Sequence, residues 1–177
     1  MHTSKQEALW VLRAQCGDRE ALEQLLRQVQ PPLHRYLCGL VGPTDADDVL
    51  QEVLVLVFRK LQALVMPELF RPWVFRIASR VGFRHLKGEE RRVANLSDND
   101  SLDDLPALEI PPSGELLQQL GSNVPAASRP VLLLHFQQEM SLAEVAAILD
   151  LPLGTVKSRL AYGLSVLRKQ LGSGRKL

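Results

Sequence analysis

Basic side chains follow one face of a helix that the sequence predicts from about Phe70 to Arg92. At 3.6 residues per turn they form a stripe about a quarter turn from an apolar stripe. The basic residues are Arg76, Arg80, Arg84, Lys87 and Arg91. Aligned cations suit the phosphates of duplex DNA, whereas a face that only keeps a protein soluble usually mixes charges of both signs. We therefore predict that this helix lies along DNA. Trp73, on its basic side, either stacks on an unpaired base or anchors the core.

The stretch SLAEVAAILDLPLGTVKSRL, from Ser141 to Leu160, has the pattern of a helix-turn-helix. Ser141 and Glu144 match a capping box, and Asp150 is a residue that tolerates the left-handed backbone such a turn often needs. The second helix begins near Gly154 and carries an apolar seam of Val156, Leu160, Leu164 and Leu167. Lys157, Ser158, Ala161 and Tyr162 point away from that seam, in positions from which side chains can enter a major groove.

A third two-faced helix is predicted from Ala46 to about Leu64, with Thr44 or Asp45 as its N-cap. Its apolar seam comprises Ala46, Val49, Leu50, Val53 and Val57. The polar residues left outside this seam are Asp47, Asp48, Gln51, Glu52 and Arg59. Helix geometry alone favours an ordinary solvated surface here, so a partner-binding role needs support from elsewhere in the chain.

The remaining elements are also helical. Two precede Gly42: one over Glu7–Gln15 and one that Asp18 caps, which we expect the Pro31–Pro32 pair to break or kink before a further run over Leu33–Leu40. Residues 96–114 carry acidic side chains, prolines and no Lys or Arg, and they predict a flexible linker. Because no strand alternation persists anywhere, we expect an all-α fold of two small helical domains joined by this flexible acidic linker.

Composition excludes several classes of protein. The net charge is +1, so affinity for nucleic acid must come from segregated charge. Two cysteines, no signal-peptide pattern and no apolar run long enough to span a bilayer predict a cytoplasmic protein without membrane insertion. His34 and Cys38 have a spacing that can hold a metal, but no second pair accompanies them. We therefore predict no metal, no cofactor and no catalysis.

Several stretches resemble extracytoplasmic-function sigma factors of the sigma-70 family. In the first half these are AQCGDREALEQLLRQVQPPLHRYL, DADDVLQEVLVLVFRKL and FRPWVFRIASRVGFRHLKGEERR, which are similar to region 2. In the second half, PAASRPVLLLHFQQEMSLAEVAAILDLPLGTVKSRLAYGLSVLRKQL is similar to the region 4 helix-turn-helix. The resemblance implies a region 2 helical bundle over residues 1–95, the linker over 96–114, region 4 over 115–172 and a tail over 173–177.

The resemblance also implies a function: binding core RNA polymerase and directing initiation at promoters with minus-10 and minus-35 elements. It assigns the polar face of the Ala46 helix, Asp47, Asp48, Gln51, Glu52 and Arg59, to core polymerase. The basic stripe, Arg76, Arg80, Arg84, Lys87 and Arg91, is assigned to the minus-10 element. Region 4 would contact the minus-35 element through Thr155, Lys157, Ser158, Arg159 and Tyr162. An anti-sigma factor is the further partner that the family implies.

This sequence departs from the family at the predicted minus-10 surface. Arg80 and Arg84 stand where many members have Asn and Asp, and the turn Val65–Leu69 is short and apolar, although in relatives it helps to capture a flipped promoter base. Two alternatives stay open. The chain could be a helix-turn-helix regulator that acts without polymerase, as a dimer on palindromic sites. It could also be a degenerate sigma-like protein that only binds other proteins.

Overall fold

The computed structural model describes residues 2–94 and 124–173. Helices in chain order are α1 (His2–Gln15), α2 (Arg19–Val41), α3 (Ala46–Lys60), α4 (Phe70–Ala94), α5 (Arg129–Leu132), α6 (Leu142–Leu149) and α7 (Leu153–Ser173). Short 3₁₀ turns, Leu61–Ala63 and Pro67–Leu69, connect α3 to α4, and a wider π turn, Leu133–Gln137, continues α5. No strand occurs within these two ranges, so the predicted all-α fold is confirmed.

The chain divides into two compact units, Met1–His85 and Leu86–Leu177, with the boundary inside α4. The predicted linker 96–114 lies outside the described residues, as do residues 115–123 of the predicted region 4 and residues 174–177 of the predicted tail. Among the helices of the described ranges, none combines the length and the hydrophobicity needed to cross a bilayer.

Asp18 starts α2 as the sequence predicts. Its carboxylate accepts a hydrogen bond from the backbone N–H of Ala21 at 3.1 Å, and Gly17 before it has a φ of +91° that favours glycine. Arg13, in the last turn of α1, donates through Nε to the same carboxylate at 2.7 Å. The hydrogen bond from the helix backbone and this arginine together hold the pKa of Asp18 below its usual range.

The expectation that Pro31–Pro32 breaks the second helix is wrong, because α2 runs as one helix from Arg19 to Val41; a kink at the pair stays a prediction. Consecutive prolines remove backbone donors, at a cost of about 3 kcal/mol each in a helix interior. The same face of α2 is buried on both sides of the pair, at Leu25, Val29, Leu33 and Leu37. Since each fully buried side chain of this size contributes about 1.5–3 kcal/mol, packing outweighs the local penalty.

The N-terminal core joins α2 and α4 through a buried polar pair. The Tyr36 hydroxyl lies 2.7 Å from Ser79 Oγ, which donates to the Phe75 carbonyl at 2.8 Å, so the tyrosine is the donor. Burial raises the pKa of Tyr36 far above its usual range, which keeps the hydroxyl protonated. The rings of Tyr36 and Phe75 meet edge to face at 5.5 Å. These contacts fix the side of α4 that faces the core.

The ends of α3 differ from the prediction. Asp45 occupies the N-cap position with a helical backbone, φ −100° and ψ −9°, and its side chain makes no capping hydrogen bond. Its carboxylate lies 3.1 Å from His85 Nε2. The helix ends at Lys60 rather than near Leu64, where the chain tightens into the 3₁₀ turn. The predicted apolar seam is confirmed, since all five of its residues are buried: Ala46, Val49, Leu50, Val53 and Val57.

The C-terminal unit contains the predicted helix-turn-helix. The capping box is complete, with Ser141 Oγ accepting from the Glu144 N–H at 3.2 Å and Glu144 Oε2 accepting from the Ser141 N–H at 2.8 Å. Asp150 has φ 58° and ψ 47°, the left-handed conformation predicted for the turn. The seam of α7 packs into a core with α5 that comprises Val124, Leu132, Leu164 and Leu167, flanked by Phe136 and Leu160.

Candidate nucleic-acid interface

One side of α3 is exposed along its whole length. The structure places all five polar residues predicted for this face on that side: Asp47, Asp48, Gln51, Glu52 and Arg59. Two large apolar side chains continue the face toward the end of the helix, since Val55 is 48% exposed and Phe58 is 60% exposed. The face is therefore acidic in its first half, and its second half combines the apolar Val55 and Phe58 with Arg59, a combination more typical of a protein-binding surface than of a solvated one.

Sequence reasoning missed the apolar part of this face. Val55 and Phe58 were placed neither in the apolar seam nor on the polar face, but they follow Asp48 and Gln51 at seven-residue spacing. Two turns of a helix bring residues seven apart onto the same side. That spacing was the signal that could have placed both side chains on the exposed face.

The basic stripe of α4 is only partly exposed to solvent. Arg80, Arg84 and Lys87 are exposed, whereas Arg76 is half-buried. The side chain of Arg91 lies outside the described residues. On the opposite side, the helix buries Phe70, Val74, Phe75, Ala78 and Val81. Trp73 is half-buried, with its ring 6.1 Å from that of Phe70 in a tilted arrangement.

Helix α7 presents a polar surface opposite its buried seam. Lys157 and Ser158 are exposed, and Thr155, Arg159 and Tyr162 are half-buried. The Ser158 hydroxyl donates to the Thr155 carbonyl at 3.0 Å, so it is held against its own helix with acceptor capacity to spare. The five side chains predicted to contact DNA therefore all retain accessible surface on one helix of the helix-turn-helix.

Comparisons with known proteins identify both units. The family model described as sigma-70 region 2 matches residues 25–92, and the one described as sigma-70 region 4 matches residues 122–169. This chain belongs to the sigma-70 family. The two matches stand in the order of the predicted domains, one on each side of the predicted linker.

Relatives over most of the chain are extracytoplasmic-function sigma factors. The chain is 25% identical to the ECF RNA polymerase sigma factor SigW of Bacillus subtilis, over 88% of this chain and 91% of that protein. It is 27% identical to the ECF RNA polymerase sigma-E factor of Escherichia coli K12, over 85% of this chain and 86% of that protein. The predicted function is thereby confirmed: the chain is a sigma factor of this group that directs promoter-specific initiation. A regulator acting without polymerase is not favoured.

Two solved structures share the fold. CnrH, in complex with the cytosolic domain of CnrY, has a TM-score of 0.67 and 23% identity, over 95% of this chain and 98% of that one. The sigma factor RpoE of Bartonella quintana, in complex with the anti-sigma factor NepR, has a TM-score of 0.68 and 23% identity, over 86% of this chain and 98% of that one.

In this sigma factor an ion pair joins two surfaces that the sequence predicted separately. Arg84, from the minus-10 set, pairs with Glu52, from the polymerase set, and both side chains are at least half exposed. Next to it, His85 lies against Asp45. Opposite charge this close partly neutralises the basic stripe at Arg84. Among the side chains that the structure describes, Arg80 and Lys87, the other exposed cations of the stripe, form no ion pair with a carboxylate.

The turn Val65–Leu69, which we call the apolar turn, projects between α3 and α4 of the sigma factor. Val65 is 90% exposed, Met66 55% and Leu69 47%, and Phe70 just beyond is buried. The predicted apolar character of this turn therefore corresponds to an exposed apolar surface beside the basic helix.

His34 and Cys38 do lie together, on α2. The histidine ring nitrogens are 3.6 and 3.7 Å from Cys38 Sγ, and His34 Nε2 is 3.2 Å from Asp47 Oδ1. Partial burial and, to a smaller extent, the Asp47 carboxylate raise the pKa of the Cys38 thiol. The arrangement joins α2 to α3.

Proposed function

We propose that this sigma factor binds core RNA polymerase through the exposed face of α3 and contacts promoter DNA through α4 and α7. One observation carries the polymerase part: a single helix face combines exposed carboxylates with the exposed side chains of Val55 and Phe58. The apolar part supplies affinity on desolvation, while the carboxylates orient the encounter. We therefore add these two residues to the predicted set of Asp47, Asp48, Gln51, Glu52 and Arg59.

Two weak DNA contacts act together in this proposal. Region 2, residues 1–95, offers Arg76, Arg80, Arg84, Lys87 and Arg91 to the minus-10 element. Region 4, residues 115–172, offers Thr155, Lys157, Ser158, Arg159 and Tyr162 to the minus-35 element. The linker 96–114 tethers them and residues 173–177 form a tail. Once one domain is engaged, the tether raises the effective concentration of the other, so the pair binds more tightly than either part.

We further propose that an anti-sigma factor covers the α3 face in the resting cell. A sigma factor of the same fold is bound to the anti-sigma factor NepR, which supports such a partner here. Both described cysteines are free, and the relatives are RNA polymerase sigma factors, which supports a cytoplasmic site of action. The enzyme in this process is the polymerase, and the sigma factor supplies recognition.

The polymerase surface is tested by simultaneous Asp48→Ala, Gln51→Ala and Glu52→Ala substitutions in the full chain. We expect the affinity for core polymerase to fall by about tenfold or more, because the partner charges lose their counterparts. A matched control replaces three exposed polar residues of α2 in the same unit, Glu23, Gln24 and Arg27, by alanine. Unchanged holoenzyme assembly by the first variant, with its helix content intact, would show that the α3 face is not the docking surface.

The DNA surface is tested by the salt dependence of promoter binding by the holoenzyme. Removing one phosphate contact lowers the slope of log affinity against log salt by about 0.9. We expect this change for Arg80→Ala and again for Lys87→Ala. Slopes equal to that of the wild type for both variants would remove α4 from the DNA interface.

A further inference from the structure

The last residue of α1 reaches across the fold to the segment just before the apolar turn. Gln15 Nε2 donates to the Leu61 carbonyl at 2.9 Å and to the Leu64 carbonyl at 2.8 Å. In return, Gln62 Nε2 donates to the backbone carbonyl of Gln15 at 3.0 Å. Each segment therefore supplies a side-chain donor to the other. At Leu61 this hydrogen bond adds to the one that the carbonyl accepts from the Leu64 N–H at 3.1 Å.

The Gln15 amide suits this position chemically. One nitrogen with two hydrogens serves two carbonyls, and both acceptors being carbonyls assigns the NH₂ group to this side of the amide. Leu61 is 3% exposed and Leu64 is 8% exposed, so water has poor access to this corner. Loss of a hydrogen bond to a buried carbonyl is more costly than loss of one at the open surface.

The contact bears directly on the geometry of the apolar turn. Leu64 immediately precedes Val65. Its carbonyl therefore belongs to the peptide bond that joins the buried Leu64 to the exposed turn. At the other end, the Leu69 N–H donates to the Met66 carbonyl at 3.0 Å, and Phe70 is 1% exposed. Helix α1 packs against the 3₁₀ turn Leu61–Ala63, which precedes this loop, and against the 3₁₀ turn Pro67–Leu69 within it. Gln15 thus fixes the N-terminal end of the turn through the Leu64 carbonyl, and the buried Phe70 side chain fixes its C-terminal end.

We infer that Gln15 is a positioning residue for promoter selectivity, acting through the apolar turn. This inference rests on the proposed function, in which the surface around α4 contacts the minus-10 element. It assigns a role to α1, which lies outside the residues 25–92 that match region 2. In this inference the turn, which adjoins α4, contributes to base preference at the minus-10 element. Without the two amide hydrogen bonds it samples more orientations, and that preference becomes weaker.

The test uses holoenzyme reconstituted from core polymerase and the full chain, transcribing a promoter library randomised at both elements. Gln15→Met keeps the length of the side chain but has no N–H donor, and Gln15→Glu places a carboxylate against two carbonyl oxygens. For both variants we expect preference at minus-10 positions to fall about fivefold, the effect of one net hydrogen bond. Minus-35 preference and core affinity are expected to stay at the wild-type level.

Two further variants separate positioning from a general loss of stability. Gln15→Lys restores N–H donors that can reach the last carbonyls of a helix, so we expect it to retain the wild-type preference. Gln6→Met makes the same exchange at an exposed position of the same helix and is the matched control. Should Gln15→Met destabilise the fold, the comparison of Gln15→Lys with Gln15→Glu decides.

Each outcome has one meaning. A minus-10 profile of Gln15→Met equal to that of Gln6→Met overturns the inference, and so does an equal loss of preference at both elements. If the wild-type holoenzyme initiates at no promoter in the library, the proposed function itself fails. A loss confined to the minus-10 element, restored by Gln15→Lys, is the result that we expect.

Discussion

Gly163 allows α7, the helix of region 4 that we propose contacts DNA, to approach α5 closely. A Cβ added at this position would lie 2.8 Å from Leu132 Cδ1 and 3.0 Å from Ser128 Cβ. Both neighbours are 1% exposed. Leu132 can rotate its terminal methyl only into a filled core, and the Ser128 Cβ moves only with its backbone. We therefore predict that Gly163→Ala destabilises region 4.

Two opposing effects set the size of this change. Alanine is favoured over glycine in a helix interior by about 1 kcal/mol. Overpacking a filled core costs about 1–3 kcal/mol. The free energy of unfolding of region 4 is therefore expected to fall by about 1 kcal/mol, with an upper limit near 2 kcal/mol. Gly154→Ala is the matched control on the same helix, because nothing lies within 4 Å of its added Cβ. We expect that variant to be neutral or slightly stabilising.

Amide hydrogen exchange followed by mass spectrometry is the suitable assay. Trp10 and Trp73 both lie in the N-terminal unit, so tryptophan fluorescence does not report on region 4. When exchange follows the opening equilibrium, a decrease of about 1 kcal/mol in the free energy of unfolding raises the amide exchange rate about fivefold. We expect this increase in peptides from α5 and α7. Peptides from α2 and α3 should be unchanged. Protection in Gly163→Ala equal to or above that in Gly154→Ala would refute the close-approach argument.

Three further predictions concern the N-terminal unit, where tryptophan fluorescence during urea unfolding is the measurement. A double-mutant cycle with Glu52→Gln and Arg84→Gln should give a coupling of about 0.2–1 kcal/mol, since the pair is exposed, and strictly additive effects would contradict the ion pair. Ser79→Ala should cost more than Tyr36→Phe, because it leaves a buried hydroxyl without its partner; the reverse order would contradict this assignment of donor and acceptor. Asp18→Asn keeps a capping side chain but removes the charge. Because the pKa of Asp18 is lowered in the folded state, its contribution is present above the unfolded-state pKa and is lost as the pH falls through the folded-state pKa. The stability difference from the wild type should therefore shrink on acidification, and a difference independent of pH would contradict it.

Local chemistry explains why much of this fold can be predicted from the sequence. A capping box, a left-handed turn residue and an apolar seam depend on neighbours within about two turns of helix, and Ser141, Glu144 and Asp150 adopt the predicted geometry. The two-sided character of α3 and α4 follows from the same periodicity. Periodicity alone could not distinguish a polymerase-binding face of α3 from a solvated surface. The resemblance to a known family gave the reason to prefer polymerase binding.

By itself, the sequence determined the helical class, the ends of most helices, the helix-turn-helix and the family, because these depend on local spacing and recognisable motifs. The tertiary structure alone decided that α2 continues through Pro31, since burial on both sides outweighs the local penalty. It also decided that Glu52 pairs with Arg84, 32 residues away, and that Gln15 reaches carbonyls 46 and 49 residues away. Such contacts depend on how helices pack against one another. Helical periodicity relates only residues within a few turns of each other, so it carries no information about pairs this far apart in the sequence.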